Sequence, residues 1–320
     1  SLLTQYDYSH GLYDGGEKSF VGFGRVIVRD AELRLASDDE NADPFSGIDV
    51  RQRAPPTERS NWFELGPVGP GSGGWQEIGF EHEYWRGDAP GLSTLREAHA
   101  DSLRAIAERR HRRDALRALR GTLLREELYA RDGSERAPLP YSVSETIRHV
   151  RPERIPDEPR SKAVFFAFDV ATRTTRWDRG DDPLTTVELS GDVDAFGQPR
   201  RQVLIGCPRG WQGFDEARDD FLATLSLTIF ATPDASGPYI ADRLAQVDEL
   251  ELLGTPLGPS ALLEDLATAA LDGSAATRLV GRVRTFYDGS AFEGLALGRI
   301  GAFGAAVRSE RLAVPEAKLD

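Results

Sequence analysis

Apolar residues recur mostly at every second position along this chain, the spacing of strands that bury one face. Tyr6-Asp7-Tyr8 and the run Phe20-Val21-Gly22-Phe23-Gly24-Arg25-Val26-Ile27-Val28 flank Asp14-Gly15-Gly16 and predict a hairpin. A second hairpin is expected from residues 121–129 and 141–147 around a turn at Asp132-Gly133-Ser134. Further strands are expected over 163–170, 187–193, 201–205, 222–231 and 278–287, with the next turn at Asp288-Gly289. Residues 75–85 (WQEIGFEHEYW) also alternate and read as a strand. Helical spacing replaces alternation twice. Residues 93–119 carry Ser93 as N-cap and Leu95, Ala98, Leu103, Ile106, Ala107, Leu116 and Leu119 as an apolar stripe, which Arg109, Arg110 and Arg113 interrupt. Residues 260–271 form a shorter helix, closed by Gly273.

Many strands with little helix between them predict antiparallel pairing and a wall, barrel or sandwich rather than a parallel α/β sheet. The expected class is therefore mainly β: long antiparallel strands and hairpins, with one long and one short helix. Residues 1–151 read as a first segment, including a Gly/Pro linker at 66–74, and residues 152–320 as a second. The linker is not a phosphate loop, because its prolines lack backbone donors and no helix opens after it.

Composition narrows the function classes. Lys and Arg total 39 and Asp and Glu 52, a net charge of -13, which disfavours phosphate backbones and so nucleic acid. No apolar run approaches the ~18 residues of a membrane helix, so direct membrane insertion is not expected. Of the basic residues only Lys18, Lys162 and Lys318 are lysines, a bias that suits a GC-rich genome. With no methionine, and an opening Ser1-Leu2-Leu3 that lacks the parts of a signal peptide, the chain reads as an internal piece of something longer.

Candidate chemistry is sparse. Neither HExxH nor GxSxG occurs, and His10, His82, His99, His111 and His149 show no ligand spacing. In a strand, His82 would face away from Glu81 and Glu83, which argues against a local metal site or triad. Cys207 is the sole cysteine and follows an apolar strand, so it reads as a small buried residue. Asp192 and Asp194 before Gly197 suggest half a calcium loop, but no closing glutamate follows and Phe196 stands where an oxygen is needed, so a turn is expected. Residues 38–44 read as a solvated acidic loop. Nine arginines between Arg96 and Arg125 read as an ion-paired helix face, with Glu97, Asp101, Glu108 and Asp114 at helical spacings. Arg86-Gly87-Asp88 spells an integrin-type tripeptide. No catalytic, cofactor-binding or metal-binding set emerges.

The hairpin words resemble a known family when taken in order. Residues 6–26 (YDYSHGLYDGGEKSFVGFGRV) resemble the YDYxxGxYD hairpin and F-x-G-F-x-x-V strand of the B component of insecticidal toxin complexes (Tc toxins) and related virulence-plasmid proteins. The matching positions are Tyr6, Tyr8, Tyr13, Asp14, Gly15, Phe20, Gly22 and Phe23. Asn61-Trp62-Phe63 with Leu65-Gly66 resembles the family's WFHTG element, with Glu64 and Leu65 in place of His-Thr. Tyr84, Gly87 and Asp88 fall in a stretch similar to REYYxGD. Gly121, Asp132, Gly133 and Tyr141 match ALKGxLLRxExYxxDGS…PYxV. Asp194 to Gln198 resembles the D-x-Y-G-N turn of RHS/YD repeats, with Gly197 in place and Phe196 and Gln198 replacing Tyr and Asn, and Tyr287-Asp288-Gly289 resembles FYDG.

The resemblance covers only the middle of such proteins. It implies a segment of an RHS/YD-type shell wall, a hollow β-shell that encloses a cytotoxic C-terminal domain for delivery into target cells. Such a segment needs no enzyme activity or cofactor of its own, and any toxic or self-cleaving activity would lie elsewhere. The implied partners are the remaining parts of a B-like chain, an RHS-core C component and a pore-forming A component, and the implied location is secreted. Two alternatives from other classes are an RHS/YD surface adhesin, displaying Arg86-Gly87-Asp88 or the arginine-rich helix, and a hydrolase whose carboxylates sequence alone does not pair.

Overall fold

The structure is a computed structural model that describes residues 2–32, 56–69, 74–88, 91–158, 161–209, 221–233, 237, 239–253 and 260–313. The acidic loop at 38–44 lies outside the described residues. Contacts divide the chain into two compact units, residues 1–168 with 173–184, and residues 169–172 with 185–320. Around residues 151 and 152 a strand runs unbroken to Arg154.

The first unit contains β1 (Leu2–Asp14), β2 (Ser19–Glu32), β3 (Thr57–Phe63), α1 (Ser93–Arg104), α2 (Arg109–Ala118), β4 (Leu123–Ala130), β5 (Ser142–Arg154) and most of β6 (Val164–Arg176). These strands are hydrogen-bonded neighbours in chain order. Pairing from β1 to β5 is antiparallel. In the first hairpin a bulge falls where Leu12 faces Gly22 and Tyr13 faces Phe20, and Gly22 takes φ 144° there. The register then sets Ser9, Arg25, Trp62, Arg125 and Glu145 in one row across five strands. Their side chains share one face, and described residues between 64 and 119 pack over it. Trp62, Leu65 and Phe80 form a buried cluster with Leu12, Val21, Val68, Ile78, Tyr84 and Leu124 around it.

Two expectations fail in this covering segment. Residues 75–85 are not a strand: Gln76 makes a single bridge to Val68, and Glu81–Glu83 is a turn of 3-10 helix. Both sides of β3 are already taken by β2 and β4, so the alternating residues have no ladder to join, and they wrap over the sheet with Phe80 as a wedge. The long helix is also broken in two. Glu108 adopts an extended conformation between α1 and α2. On one continuous helix Leu103 and Leu116 would point about 140° apart, at 3.6 residues per turn. With the break, both enter one cluster with Ala115 and Leu119, closed by Trp75, Ile106, Val150, Phe165 and Ala167.

The second unit contains β7 (Leu184–Val193, all but its first residue), β8 (Pro199–Cys207), β9 (Leu222–Phe230), β10 (Thr232–Pro233), β11 (Leu244–Leu252), α3 (Ser260–Asp272), β12 (Thr277–Tyr287), β13 (Arg299–Ile300) and β14 (Ala306–Arg311). The sheet order is β7-β8-β9-β11-β12-β14, and β10 pairs with β13 in a separate parallel ribbon. Strict alternation sets Val187, Ile205 and Ala223 in one buried row, and Leu189, Val203 and Leu225 in the next. Ala267 and Ala270 of α3 are buried, and a Cβ on Gly191 would meet Leu271 at 2.9 Å, so helix and sheet approach closely there. Cys207 is buried and, as the sole cysteine, forms no disulfide within the chain. The expected mainly β class is borne out, with three α-helices among the described residues rather than two.

Candidate functional site

A dense set of ionisable groups is buried beneath the segment that resembles REYYxGD. It begins with strand periodicity: Arg125, Glu127 and Tyr129 on β4, and Arg173 and Thr175 on β6, sit two apart, so each set lies on one face. That face is the covered one. Arg125, Arg173, Glu127 and Glu145 have side chains only 1–2% exposed, and the Asp88 side chain is 0% exposed.

Every acid here is held. Asp88 accepts from Arg173 Nη2 at 2.7 Å and Nη1 at 3.3 Å, and from Trp177 Nε1 at 3.3 Å, with Arg125 Nη1 3.4 Å away. Its backbone carbonyl accepts from Arg125 Nη2 at 3.1 Å. Glu145 accepts from Arg173 Nε and the Gly91 amide, each at 2.8 Å, and from Arg96 Nη2 of α1 at 2.7 Å. Glu127 accepts from Arg125 Nε at 2.7 Å, the Trp85 amide at 2.9 Å and the Tyr129 hydroxyl at 2.6 Å. Three carboxylates face two fully buried guanidinia and the partly exposed Arg96, so the set is close to neutral.

The electrostatics follow. Burial opposes the charge of Arg173, but Glu145 and Asp88 outweigh it and raise its pKa above the ordinary arginine value. Burial and the bond to Glu127 push the Tyr129 hydroxyl well above the usual tyrosine range. Arg125 stacks over Tyr84 at 4.8 Å, and Trp85 meets Trp177 edge-on at 5.0 Å. Glu127 and Tyr129 reach the wall of a cleft of about 570 Å³ that Glu58 and Glu83 also line. Glu58 is bound to Arg29 at 2.6 Å, and Glu83 to His10 at 2.6 Å and Trp62 Nε1 at 3.0 Å. The carboxylates left unpaired by the sequence are thus engaged with donors, and this arrangement joins strands and loop by charge.

The integrin-type reading of Arg86-Gly87-Asp88 is corrected here. A receptor would need an accessible Asp88 carboxylate, and that group is the most deeply enclosed acid of the cluster. The reading of Glu81-His82-Glu83 is corrected too: a helical turn, not a strand, lets Glu83 turn inward to His10, Arg25 and Trp62 while His82 stays exposed. Arg125, Glu127, Glu145, Arg173 and Trp177 were absent from the motif residues. For the four charged residues the signal was charge at the inward phase of otherwise apolar-alternating strands; Trp177, just past β6, carried none.

A second cluster ties the tip of the first hairpin to α2. Asp14 Oδ1 accepts from the Gly16 and Glu17 amides at 3.0 and 3.1 Å, closing the turn. Its Oδ2 meets Arg113 and Arg120, both at 3.0 Å, while Arg117 reaches Glu17 at 2.7 Å. Arg104 and Arg110 instead pair with Asp101 and Glu108 on the exposed side.

The other motif residues occupy turns and faces. Tyr6, Tyr8, Tyr13 and Phe20 are exposed, Tyr8 lying 4.7 Å and Phe20 5.0 Å from Phe23 between ring centroids. Gly15 is at the turn between β1 and β2, and Gly121 precedes β4. Asp132 accepts from the Ser134 amide at 3.1 Å and pairs with Arg179 at 2.7 Å around Gly133, whose φ is 68°. Tyr141 lies under Arg179, and its carbonyl accepts from the Trp177 amide at 2.8 Å. Asp194 accepts from the Phe196 and Gln198 amides around Gly197, a turn rather than a cation loop. The buried Tyr287 donates to the Leu244 carbonyl at 2.8 Å, and Asp288, ahead of Gly289, accepts from the Gly301, Gly304 and Ala305 amides at 2.7, 2.9 and 3.1 Å. Among the described residues no group of three or more His, Cys, Asp or Glu is placed to hold a metal ion, and no helix is long and apolar enough to cross a membrane.

The family model described as the insecticide toxin TcdB middle/C-terminal region matches residues 114–226, which includes the strands bearing Arg125, Glu127, Glu145 and Arg173. Curated protein sequences give no match. Among solved structures, a TcdB2-TccC3-Cdc42 crystal structure is similar with a TM-score of 0.70 at 22% identity, over 99% of this chain and 16% of that one. A TcdB2-TccC3 crystal structure without the hypervariable C-terminal region has a TM-score of 0.69 at 21% identity, over 99% and 15%. A Photorhabdus luminescens Tc holotoxin pore, carrying a TccC3 mutation, has a TM-score of 0.69 at 22% identity, over 97% and 15%. The chain thus spans about one sixth of each, and at these identities the likeness is one of fold. Residues 114–226 carry the pattern of the TcdB middle/C-terminal region, nearly the whole chain carries the fold seen in those complexes, and the resemblance to the middle region of a Tc toxin B component is borne out.

Proposed function

We propose that this chain is a wall segment of a secreted toxin complex. In that role it helps form a hollow β-shell around a cytotoxic domain for delivery into target cells, and it performs no catalysis itself. The observation that carries the reading is the chain-ordered antiparallel ladder within each unit, which shares its fold with the TcdB2-TccC3 structures and the Tc holotoxin pore. A wall needs long ladders, tight turns and a rigid attachment between strands and covering loops, and no exposed nucleophile. The buried charge cluster supplies such an attachment. In this role the partners are the rest of a B-like chain, an RHS-core C component and a pore-forming A component, as the complexes of the similar proteins suggest. Electron microscopy of the intact parent protein tests the reading. A closed hollow shell with this segment in its wall is expected, and a solid particle with the segment in a separate globule would overturn it.

A further inference from the structure

His99 on α1 and His149 on β5 lie face to face, with ring centroids 5.1 Å apart and planes 21° apart. Phe168 of β6 meets His149 edge-on at 6.4 Å. His99 Nδ1 and His149 Nε2 are buried without a hydrogen-bond partner, while the Leu95 carbonyl engages the His149 ring. Two neutral imidazoles can stack this way; two imidazolium ions at the same distance repel, with no acceptor beside either buried nitrogen. The stack adds to two other attachments of the helix. Leu103 is the buried residue of α1, and Arg96 reaches Glu145.

We propose that the His99–His149 stack is an acid-sensitive latch, which holds α1 against β5 while both rings are neutral and releases it when they are protonated. The surrounding charges leave the rings poorly compensated. Arg96 of α1 and Arg148 of β5 line the same cavity of about 370 Å³ as His99, and Arg151 of β5 lies over the Phe168 ring at 5.9 Å. Glu64, Glu77, Glu81 and Tyr84 line the same cavity. Burial holds the carboxyls of Glu64 and Glu77 above the usual range, so they lose negative charge early as the pH falls.

Burial, then the neighbouring His149, depress His99 from 6.5 to about 4, and burial depresses His149 as well. A group with a depressed pKa in the docked state favours docking fully above its free value and loses that preference as pH falls toward the docked value. For His99 the window therefore runs from 6.5 down to about 4. The full shift corresponds to roughly 300-fold in the docking equilibrium; partial exposure screens it, and about tenfold or more is expected by pH 5. Glu64 and Glu77 act in the opposite sense on whole-chain stability, so the measurement has to be local to α1.

Hydrogen exchange of the full chain, corrected for intrinsic rates, reads this at residues 93–104 with β12 as internal reference. Protection of α1 is expected to fall about tenfold or more between pH 7.5 and pH 5, and to stay level in a His99→Phe/His149→Phe variant that keeps two stacked rings without ionisable nitrogens. Equal protection at both pH values in the unmodified chain, or the same loss in the variant, overturns the latch. If the variant does not fold, the His99 imidazole proton resonance decides: a midpoint below pH 5 supports the latch, and one at or above 6.5 overturns it.

Discussion

Asp88→Asn is the sharpest test of the buried charge cluster. The substitution keeps size and shape but removes one of three negative charges. It also cannot satisfy the site in either orientation, because both carboxylate oxygens of Asp88 accept: one from Arg173 Nη1 and Trp177 Nε1, the other from Arg173 Nη2 beside Arg125 Nη1. An amide NH2 would therefore always face N–H donors. Breaking a buried pair by altering one partner costs about 3–5 kcal/mol, because the remaining charges stay enclosed. With an m-value of about 2 kcal/mol/M, a loss of about 4 kcal/mol lowers the urea midpoint by about 2 M. Trp85 and Trp177 stand edge-on beside the cluster, so tryptophan fluorescence reports on the region directly. In a double-mutant cycle with Arg173→Met, a coupling of about 1–3 kcal/mol is expected. A change below about 0.5 kcal/mol for Asp88→Asn, or a coupling near zero, would show that the cluster is a passive contact and not what fastens loop to sheet.

Three further outcomes follow from the geometry. A Cβ on Gly24 would sit 2.4 Å from Phe80 Cζ, so Gly24→Ala should cost about 1–3 kcal/mol in urea unfolding through overpacking, whereas Gly15→Ala, with open space around it, should change stability by less than about 0.5 kcal/mol. Asp14 is raised by burial but lowered more by Arg120, the Glu17 and Gly16 amides and Arg113, so its folded pKa lies below the ordinary 3.8. Its stabilising contribution is present above that value and lost as pH falls through the folded pKa, so Asp14→Asn should flatten the acid limb of a stability-versus-pH curve, and an unchanged limb would contradict the assignment. Asp288→Ala removes the acceptor for three loop amides, and limited proteolysis should then cut residues 289–304 faster than in the unmodified chain, with no change in cutting arguing against that role.

The hairpins were legible because their information is local. Alternation over residues 20–28, a Gly-rich turn at 14–16 and the Asp132 and Asp288 turns are each written within a few residues. The errors came where partners are distant. Residues 75–85 alternate as a strand would, yet their fate depended on β3 having both edges occupied. The continuous helix misread the phase change between Leu103 and Leu116, which only the shared core explains. Asp88 looked like part of a surface tripeptide because Arg125 and Arg173, which enclose it, lie 37 and 85 residues away. Charged residues at inward strand positions are the one local sign of such a cluster, and alone they do not name their partners.

Each strand from β2 to β6 hydrogen-bonds to the one made just before it, with the covering segment and its helices inserted between β3 and β4. During synthesis the ladder can therefore lengthen in the order the ribosome delivers it, without waiting for a distant terminus. The charge cluster closes only when β6 brings Arg173 to the already placed Asp88 and Glu145. Until then, Asp88 and Glu145 lack one of their counter-ions, so the fastening of the covering loop is completed last, after the strands beneath it have registered.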